Sequence, residues 1–249
     1  MIKNYFQLLR VPQWIKNLFV FVPLMFSLHL FEADYFLASL KAFVIFCLAS
    51  SFIYIINDII DIDADAVHPT KKFRPLPSGK ISKQSAWITS ILIFLFLILL
   101  SFISPIGFIY FLASFILLNI IYSVYFKHIV ILDVFSIAAG FTIRVLAGAA
   151  IIGVPVSSWL VLTTMFISLF LGVMKRHSEL EQITESEKTP TRKVLAEYSL
   201  IFTNQMATVA AAGVIICYAL YTVSQRTVSV FGTENLIYTT PFVVFGIFR

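Results

Sequence analysis

Eight stretches of this chain are apolar over roughly the length of a membrane helix. They fall at about 17–31, 38–57, 86–104, 106–125, 133–152, 157–175, 200–224 and 238–249. A helix needs about 20 mostly apolar residues to cross a bilayer, and no other feature limits the possible folds so tightly. The runs lack the alternating pattern of a membrane strand, so a β-barrel is excluded. Only 12% of the residues are charged, about half of the roughly 25% usual in soluble domains. A soluble enzyme, a disordered chain, a disulfide scaffold and a nucleic-acid binder are excluded with it. The expected fold is an all-α polytopic membrane protein, one integral membrane domain over residues 1–249 with eight spans. Ser104-Pro105, Gly153 with Pro155, and Pro190 break the helices between spans. Cys47 and Cys217 lie inside apolar runs and read as small core residues, not a metal or disulfide pair. The N-terminal stretch carries charge without a small-residue cleavage site, so no cleavable signal peptide is expected.

The charges that remain are unevenly placed. Of 18 Lys and Arg residues, fourteen lie in the N-terminal segment, the 58–85 loop, the 126–132 turn and the 175–199 loop. The alternate loops hold only Lys41 and Arg226. The positive-inside rule then puts the N-terminus and both long loops on the cytoplasmic side of the inner membrane. Seven of the 13 acids gather on the same face: Asp58, Asp61, Asp63 and Asp65 after span two, Asp133 opening span five, and Glu179 and Glu181 after span six. Glu32, Asp34, Glu185, Glu187, Glu197 and Glu234 read as solvated loop residues.

The richest stretch is NDIIDIDADAVHPTKKFRPLPSG at 57–79. On a helix, at about 100° per residue, Asp58, Asp61 and Asp65 fall within about 60° of one another, and Asp63 lies about 140° from Asp58. Three carboxylates on one stripe repel unless a cation holds them. Mg²⁺ suits this place, because it takes carboxylate and phosphate oxygens and keeps several waters. Asp58 and Asp61 are the expected metal ligands, with Asp65 acting through water or on donor hydroxyls and Asn57 adding a neutral ligand. The basic segment that follows, with His68, Lys71, Lys72 and Arg74, completes a site for a diphosphate. The same cations also serve membrane topology.

Other residues have two readings each. Arg144 interrupts an apolar helix, where a charge is expensive and usually functional. It is expected to bind phosphate or to pair with an internal acid such as Asp133. Lys175 with Glu179, and Arg176 with Glu179, have helical pair spacing and read either as a solvated helix end or as substrate contacts. Lys16 and Asn17 open span one and suit phosphate contact as well as headgroup snorkelling. Trp14 reads as an interfacial anchor. Lys127 is a phosphate contact or a topological lysine, and His68 is a possible hydrogen-bond donor to the substrate.

The pattern Asn57, Asp58, Asp61 and Asp65, followed by His68-Pro69 and Arg74-Pro75, resembles the first aspartate-rich motif of the UbiA superfamily. The resemblance implies an all-helical intramembrane transferase, usually of nine spans, around a central cavity open to the cytoplasmic face. The sequence ends near the end of span eight, so a final C-terminal span is expected to be missing. Most members carry a second aspartate-rich motif near the end of span six. This chain reads GVMKRHSELE there, with Lys175, Arg176 and Glu179. In that departure, in LLRVPQWIKNLFVFVPL at 8–24 and in DVFSIAAGFTIRVLAGA at 133–149, it is similar to one branch, the decaprenyl-phosphate phosphoribosyltransferases. PFVVFGIFR at 241–249 is similar to the superfamily's eighth span.

The branch implies Mg²⁺-dependent transfer of 5-phosphoribose from 5-phosphoribosyl diphosphate to a polyprenyl phosphate, with loss of diphosphate. The product is a precursor of lipid-linked arabinose or ribose for envelope polysaccharide. It also implies that Lys16, Asn17, Asn57, Lys72, Arg74, Lys127, Asp133, Arg144, Lys175, Arg176 and Glu179 contact substrate. No general base is required, because the acceptor phosphate is already ionised. Prenyl transfer to an aromatic ring, or a membrane transporter or lipid-binding protein, are the alternatives.

Overall fold

The computed structural model describes residues 2–186 and 193–249. Among them the chain is helical, with turns and no strand. α1 (Ile2–Leu8) leads into a 3-10 helix (Val11–Phe21) that continues as α2 (Val22–Phe26). α3 (Ala33–Ile60) is followed by the short α4 (Ile62–Ala66). Then come α5 (Lys83–Phe102), α6 (Ile106–Val124), α7 (Leu132–Ile152), α8 (Ser158–Ser186), α9 (Leu200–Val223), α10 (Gln225–Phe231) and α11 (Thr240–Phe248). Pro190 and the loop charges Glu187, Lys188 and Arg192 lie outside the described residues, as do the side chains of Glu185 and Lys193.

The polytopic expectation holds. Six helices, α3, α5, α6, α7, α8 and α9, are long and apolar enough to cross a membrane, and Val11–Phe26 and Asn235–Phe248 form shorter apolar segments. The first segment differs from the expected 17–31. It starts at Val11 and ends by Leu28, which turns with φ 63°. Pro12 and Pro23 stand at the first positions of their helices, where a missing N–H costs nothing. A 3-10 helix rises about 2.0 Å per residue against about 1.5 Å for an α-helix. The 16 residues of Val11–Phe26 therefore rise about 30 Å, comparable to a bilayer core.

α7 is the central element. It packs against the 3-10 helix, α2, α3, α6 and α8, while α5 and α6 flank α3 and α9 lies on α8. The main core joins Val20, Ala42, Phe46, Ala49, Ile53, Phe108, Phe115 and Ala147. Small residues let the backbones approach, as is common between membrane helices. Gly148 shows the closest approach: a Cβ there would lie 2.0 Å from the Val20 carbonyl oxygen. Backbone cannot swing aside as a side chain can. Gly148→Ala is expected to destabilise the bundle by on the order of 3 kcal/mol, read as a lower unfolding midpoint in detergent. An unchanged midpoint would contradict this packing.

Candidate active site

The polar groups gather where α3 ends. α3 stops at Ile60, Asp61 caps it at φ −90° and ψ 11°, and α4 resumes at once. Aspartates compete with helical hydrogen bonds through their own side chains, which suits a break here. The register survives it: Asp61 N donates to the Asn57 carbonyl at 2.9 Å, and Asp65 N to the Asp61 carbonyl at 2.8 Å. The acidic stripe is therefore real, and Asp63 is exposed as expected.

Asp58 and Asp65 are each 2% exposed. Buried carboxylates need cations and hydrogen bonds, and a cluster of basic side chains supplies them. Arg74 Nη1 donates to Asp65 Oδ2 at 2.5 Å and to Asp58 Oδ1 at 3.2 Å. Lys71 Nζ lies 3.4 Å from Asp65 Oδ1. Arg10 Nη2 also donates to Asp58 Oδ1, and its guanidinium carbon lies 4.5 Å from the centre of the Tyr54 ring. Arg10 has φ 51° and ψ 44°, a left-handed conformation uncommon outside glycine. That turn, between α1 and the 3-10 helix, lays its guanidinium against α3. Asp61 is more exposed, with Lys127 Nζ 4.0 Å from Oδ2.

These donors are all oxygen, the type that Mg²⁺ takes. Among the described residues no three His, Cys, Asp or Glu side chains surround a common point. Mg²⁺ does not need such a cage, since one or two carboxylates, waters and substrate phosphates suffice. Asp58 and Asp61, nearly one turn apart, fit that requirement.

A second group lies deeper in the apolar layer. Arg144, 8% exposed, donates from Nε to Asn17 Oδ1 at 2.8 Å and from Nη1 to the Gly140 carbonyl at 2.9 Å. Its guanidinium carbon lies 4.5 Å from the centre of Phe115 and 5.1 Å from that of Phe141. Ser50 Oγ also donates to Asn17 Oδ1, at 3.3 Å, and Asn17 Nδ2 lies 3.4 Å from Cys47 Sγ. The expected pairing of Arg144 with Asp133 is not found, because Asp133 is held by Arg176. Neutral acceptors and ring faces surround Arg144 instead. Lys16 is within electrostatic reach of Lys175, Arg144 and Arg10.

A third group is closed on itself. Asp133 is 0% exposed and Arg176 is 2% exposed. Arg176 Nε donates to Asp133 Oδ2 at 2.7 Å, and Nη1 to Glu179 Oε2 at 2.9 Å. Tyr198 Oη donates to Asp133 Oδ1 at 2.5 Å. Asp133 thus has each oxygen paired within the protein, one with Arg176 and one with Tyr198. Asn17 is likewise buried on Arg144. Asn57 is half-buried, and Lys72 is exposed with its ammonium 5.2 Å from the Phe73 ring centre. His68 Nδ1 accepts from Thr70 N and Lys71 N, both at 3.3 Å, which braces the basic loop. Trp14 Nε1 donates to Ser51 Oγ at 3.0 Å and ties the first segment to α3.

Sequence reasoning missed Arg10 and Tyr198 as site residues. Arg10 stood in the quoted 8–24 stretch but read as a topological cation, and its reach to Asp58 depends on a left-handed turn. Tyr198 carried no signal at all.

Residues 18–247 match the model of the UbiA prenyltransferase family. The chain is 34% identical over 229 residues to a decaprenyl-phosphate phosphoribosyltransferase of Mycolicibacterium smegmatis, covering 90% of this chain and 72% of that protein. The chain belongs to the UbiA prenyltransferase family. It is 33% identical over 217 residues to the decaprenyl-phosphate phosphoribosyltransferase of Corynebacterium glutamicum, covering 86% of this chain and 65% of that protein. A UbiA homolog from Archaeoglobus fulgidus, solved with GPP and Mg²⁺, superposes with a TM-score of 0.73 at 19% identity, covering 97% of this chain and 86% of that one. That likeness is one of fold. Membership in the UbiA family makes this chain a multi-pass membrane protein and an enzyme of the prenyltransferase type, which sets the transporter reading aside.

Proposed function

We propose that this UbiA-family enzyme transfers 5-phosphoribose from 5-phosphoribosyl diphosphate to a polyprenyl phosphate of the decaprenyl type, releasing diphosphate. The site would open to the cytoplasmic side of the inner membrane, as the loop charges imply. One observation carries the reading. Lys16 feels the charges of Lys175 and Arg144, and among the described residues none of the three forms an ion pair with a carboxylate, Arg144 being held by Asn17 and the Gly140 carbonyl. Unpaired cations beside apolar walls require anions. The proposed reaction brings three: a diphosphate, a 5-phosphate and the acceptor phosphate. The names of the two bacterial relatives point the same way.

Asp58 and Asp61 would hold Mg²⁺, with Asp65 and Asn57 beside them. Bound there, Mg²⁺ would neutralise charge on the departing diphosphate. Arg74 and Lys127, which reach Asp58 and Asp61, and Lys72 of the same basic loop suit the remaining phosphate oxygens. Lys16, Arg144 and Lys175 suit phosphate monoesters, which must be held without being cleaved. Arg176, Glu179 and Asp133 fix the wall from which Lys175 projects. An oxygen of the acceptor phosphate attacks the anomeric carbon, and the bond from that carbon to the diphosphate oxygen breaks. No proton has to move, because a phosphate monoester is already ionised near neutral pH. What the chain contributes is positioning and charge.

Purified protein given Mg²⁺, polyprenyl phosphate and sugar-labelled donor should move the label into lipid that survives organic extraction. Displacement in one step predicts an inverted anomeric centre, by analogy with sugar transfer generally. A product of retained configuration would contradict the single displacement.

A further inference from the structure

The turn leading into α7 is strained. Ile131 has φ 71° and ψ −50°, a region that a β-branched residue rarely enters. Leu132 N donates to the Val130 carbonyl at 2.8 Å, so the three residues form the strained variety of γ-turn. Such conformations persist only where their surroundings over-determine them. Here the first turn of α7 holds the Ile131 carbonyl, through Phe135 N at 2.9 Å, and one side-chain hydroxyl holds its amide. Tyr198, just before α9, accepts a hydrogen bond from Ile131 N at 2.8 Å and donates to Asp133 Oδ1 at 2.5 Å.

That hydroxyl stands between two halves of the site. On one side the turn closes the short loop Phe126–His128, whose Lys127 lies 4.0 Å from Asp61. On the other, Asp133 passes the contact through Oδ2 to Arg176 Nε at 2.7 Å, and Arg176 to Glu179 at 2.9 Å. The tyrosine is 6% exposed, with its ring stacked on Phe202 at 6.0 Å. Burial, then the neighbouring Asp133 carboxylate, holds the phenol above its ordinary range, so it keeps its proton and remains a donor.

We propose that Tyr198 is a positioning residue: its hydroxyl clamps the strained turn that brings Lys127 to Asp61 onto the Asp133–Arg176–Glu179 chain that links α7 to α8, and so sets the distance between the two walls that hold the sugar donor. The proposal rests on the phosphoribosyl reading for its donor, but the clamp itself can be measured without substrate.

Tyr198→Phe keeps the ring and removes both hydrogen bonds. The expected result is a rise of about tenfold in the KM for phosphoribosyl diphosphate, the scale of a lost positioning hydrogen bond. The KM for polyprenyl phosphate should stay near wild type, while the unfolding midpoint falls modestly because the Ile131 amide and Asp133 Oδ1 each lose a partner. Glycine accepts a positive φ without strain, so adding Ile131→Gly should recover part of the donor KM. An unchanged donor KM in Tyr198→Phe would overturn the proposal, and so would equal losses in both KM values. Hydrogen exchange at the Ile131 amide reads the clamp alone: faster exchange in Tyr198→Phe supports it, and an unchanged rate overturns it. If wild-type protein ignores phosphoribosyl diphosphate, the functional reading fails, while the exchange result still decides the clamp.

Discussion

Asp61→Asn is expected to lower turnover by on the order of 10³-fold while the bundle remains folded. The side chain of Asp61 is 41% exposed, and its ion-pair partner among the described residues is Lys127, at 4.0 Å. A surface pair of that length contributes little to stability. The amide is nearly the same shape as the carboxylate but cannot offer the anionic oxygen that the leaving diphosphate's counter-ion requires. Asp58→Asn should reduce turnover as severely and also destabilise the protein. Asp58 is buried and accepts from both Arg10 and Arg74. Neutralising it leaves two guanidinium groups against one carboxylate, Asp65, and breaking a buried pair costs about 3–5 kcal/mol. Initial rates and unfolding midpoints of the two variants separate these effects. Retained activity in Asp61→Asn would contradict the metal assignment, and an unchanged midpoint in Asp58→Asn would contradict the ion-pair cluster.

Arg144→Met is expected to separate activity from stability in the opposite sense. Turnover should fall by about 10²- to 10³-fold, the scale seen when one charge-stabilising donor is removed. The unfolding midpoint should hold or rise, since replacing a buried charge by an apolar side chain of similar size is often neutral or stabilising. The surroundings favour this. Phe115 and Phe141 pack as well against a thioether as against a guanidinium, and Asn17 Oδ1 keeps the hydroxyl of Ser50 as a donor. Arg144→Lys should regain part of the rate, because it restores charge without the planar fork. A large drop in midpoint for Arg144→Met, with the rate retained, would make Arg144 a structural residue.

The parts of this architecture that are legible in the sequence are those set locally. Apolar runs of helix length marked the six long helices, because a bilayer leaves the backbone no alternative. The first motif was legible because Asp58, Asp61 and Asp65 recur at helical spacing within one segment. What escaped depends on contacts between residues far apart in the chain. Arg10 meets Asp58 across 48 positions, and Tyr198 meets Asp133 across 65. No periodicity records such pairings. Arg144 could be recognised as a costly charge, but its partner could not, because Asp133 is taken by Arg176 from the neighbouring helix α8. The 3-10 form of the first segment was hidden because its prolines mark helix starts without specifying the pitch.

In the proposed reaction the donated group is a sugar phosphate and not a prenyl chain. Two labelled donors offered side by side to the purified enzyme with Mg²⁺ test it most directly. One is phosphoribosyl diphosphate with polyprenyl phosphate, and the other is a prenyl diphosphate with an aromatic acceptor. Label is expected in extractable lipid phosphate from the first donor, and none in the aromatic product from the second. Consumption of the prenyl diphosphate alone would contradict the proposed reaction.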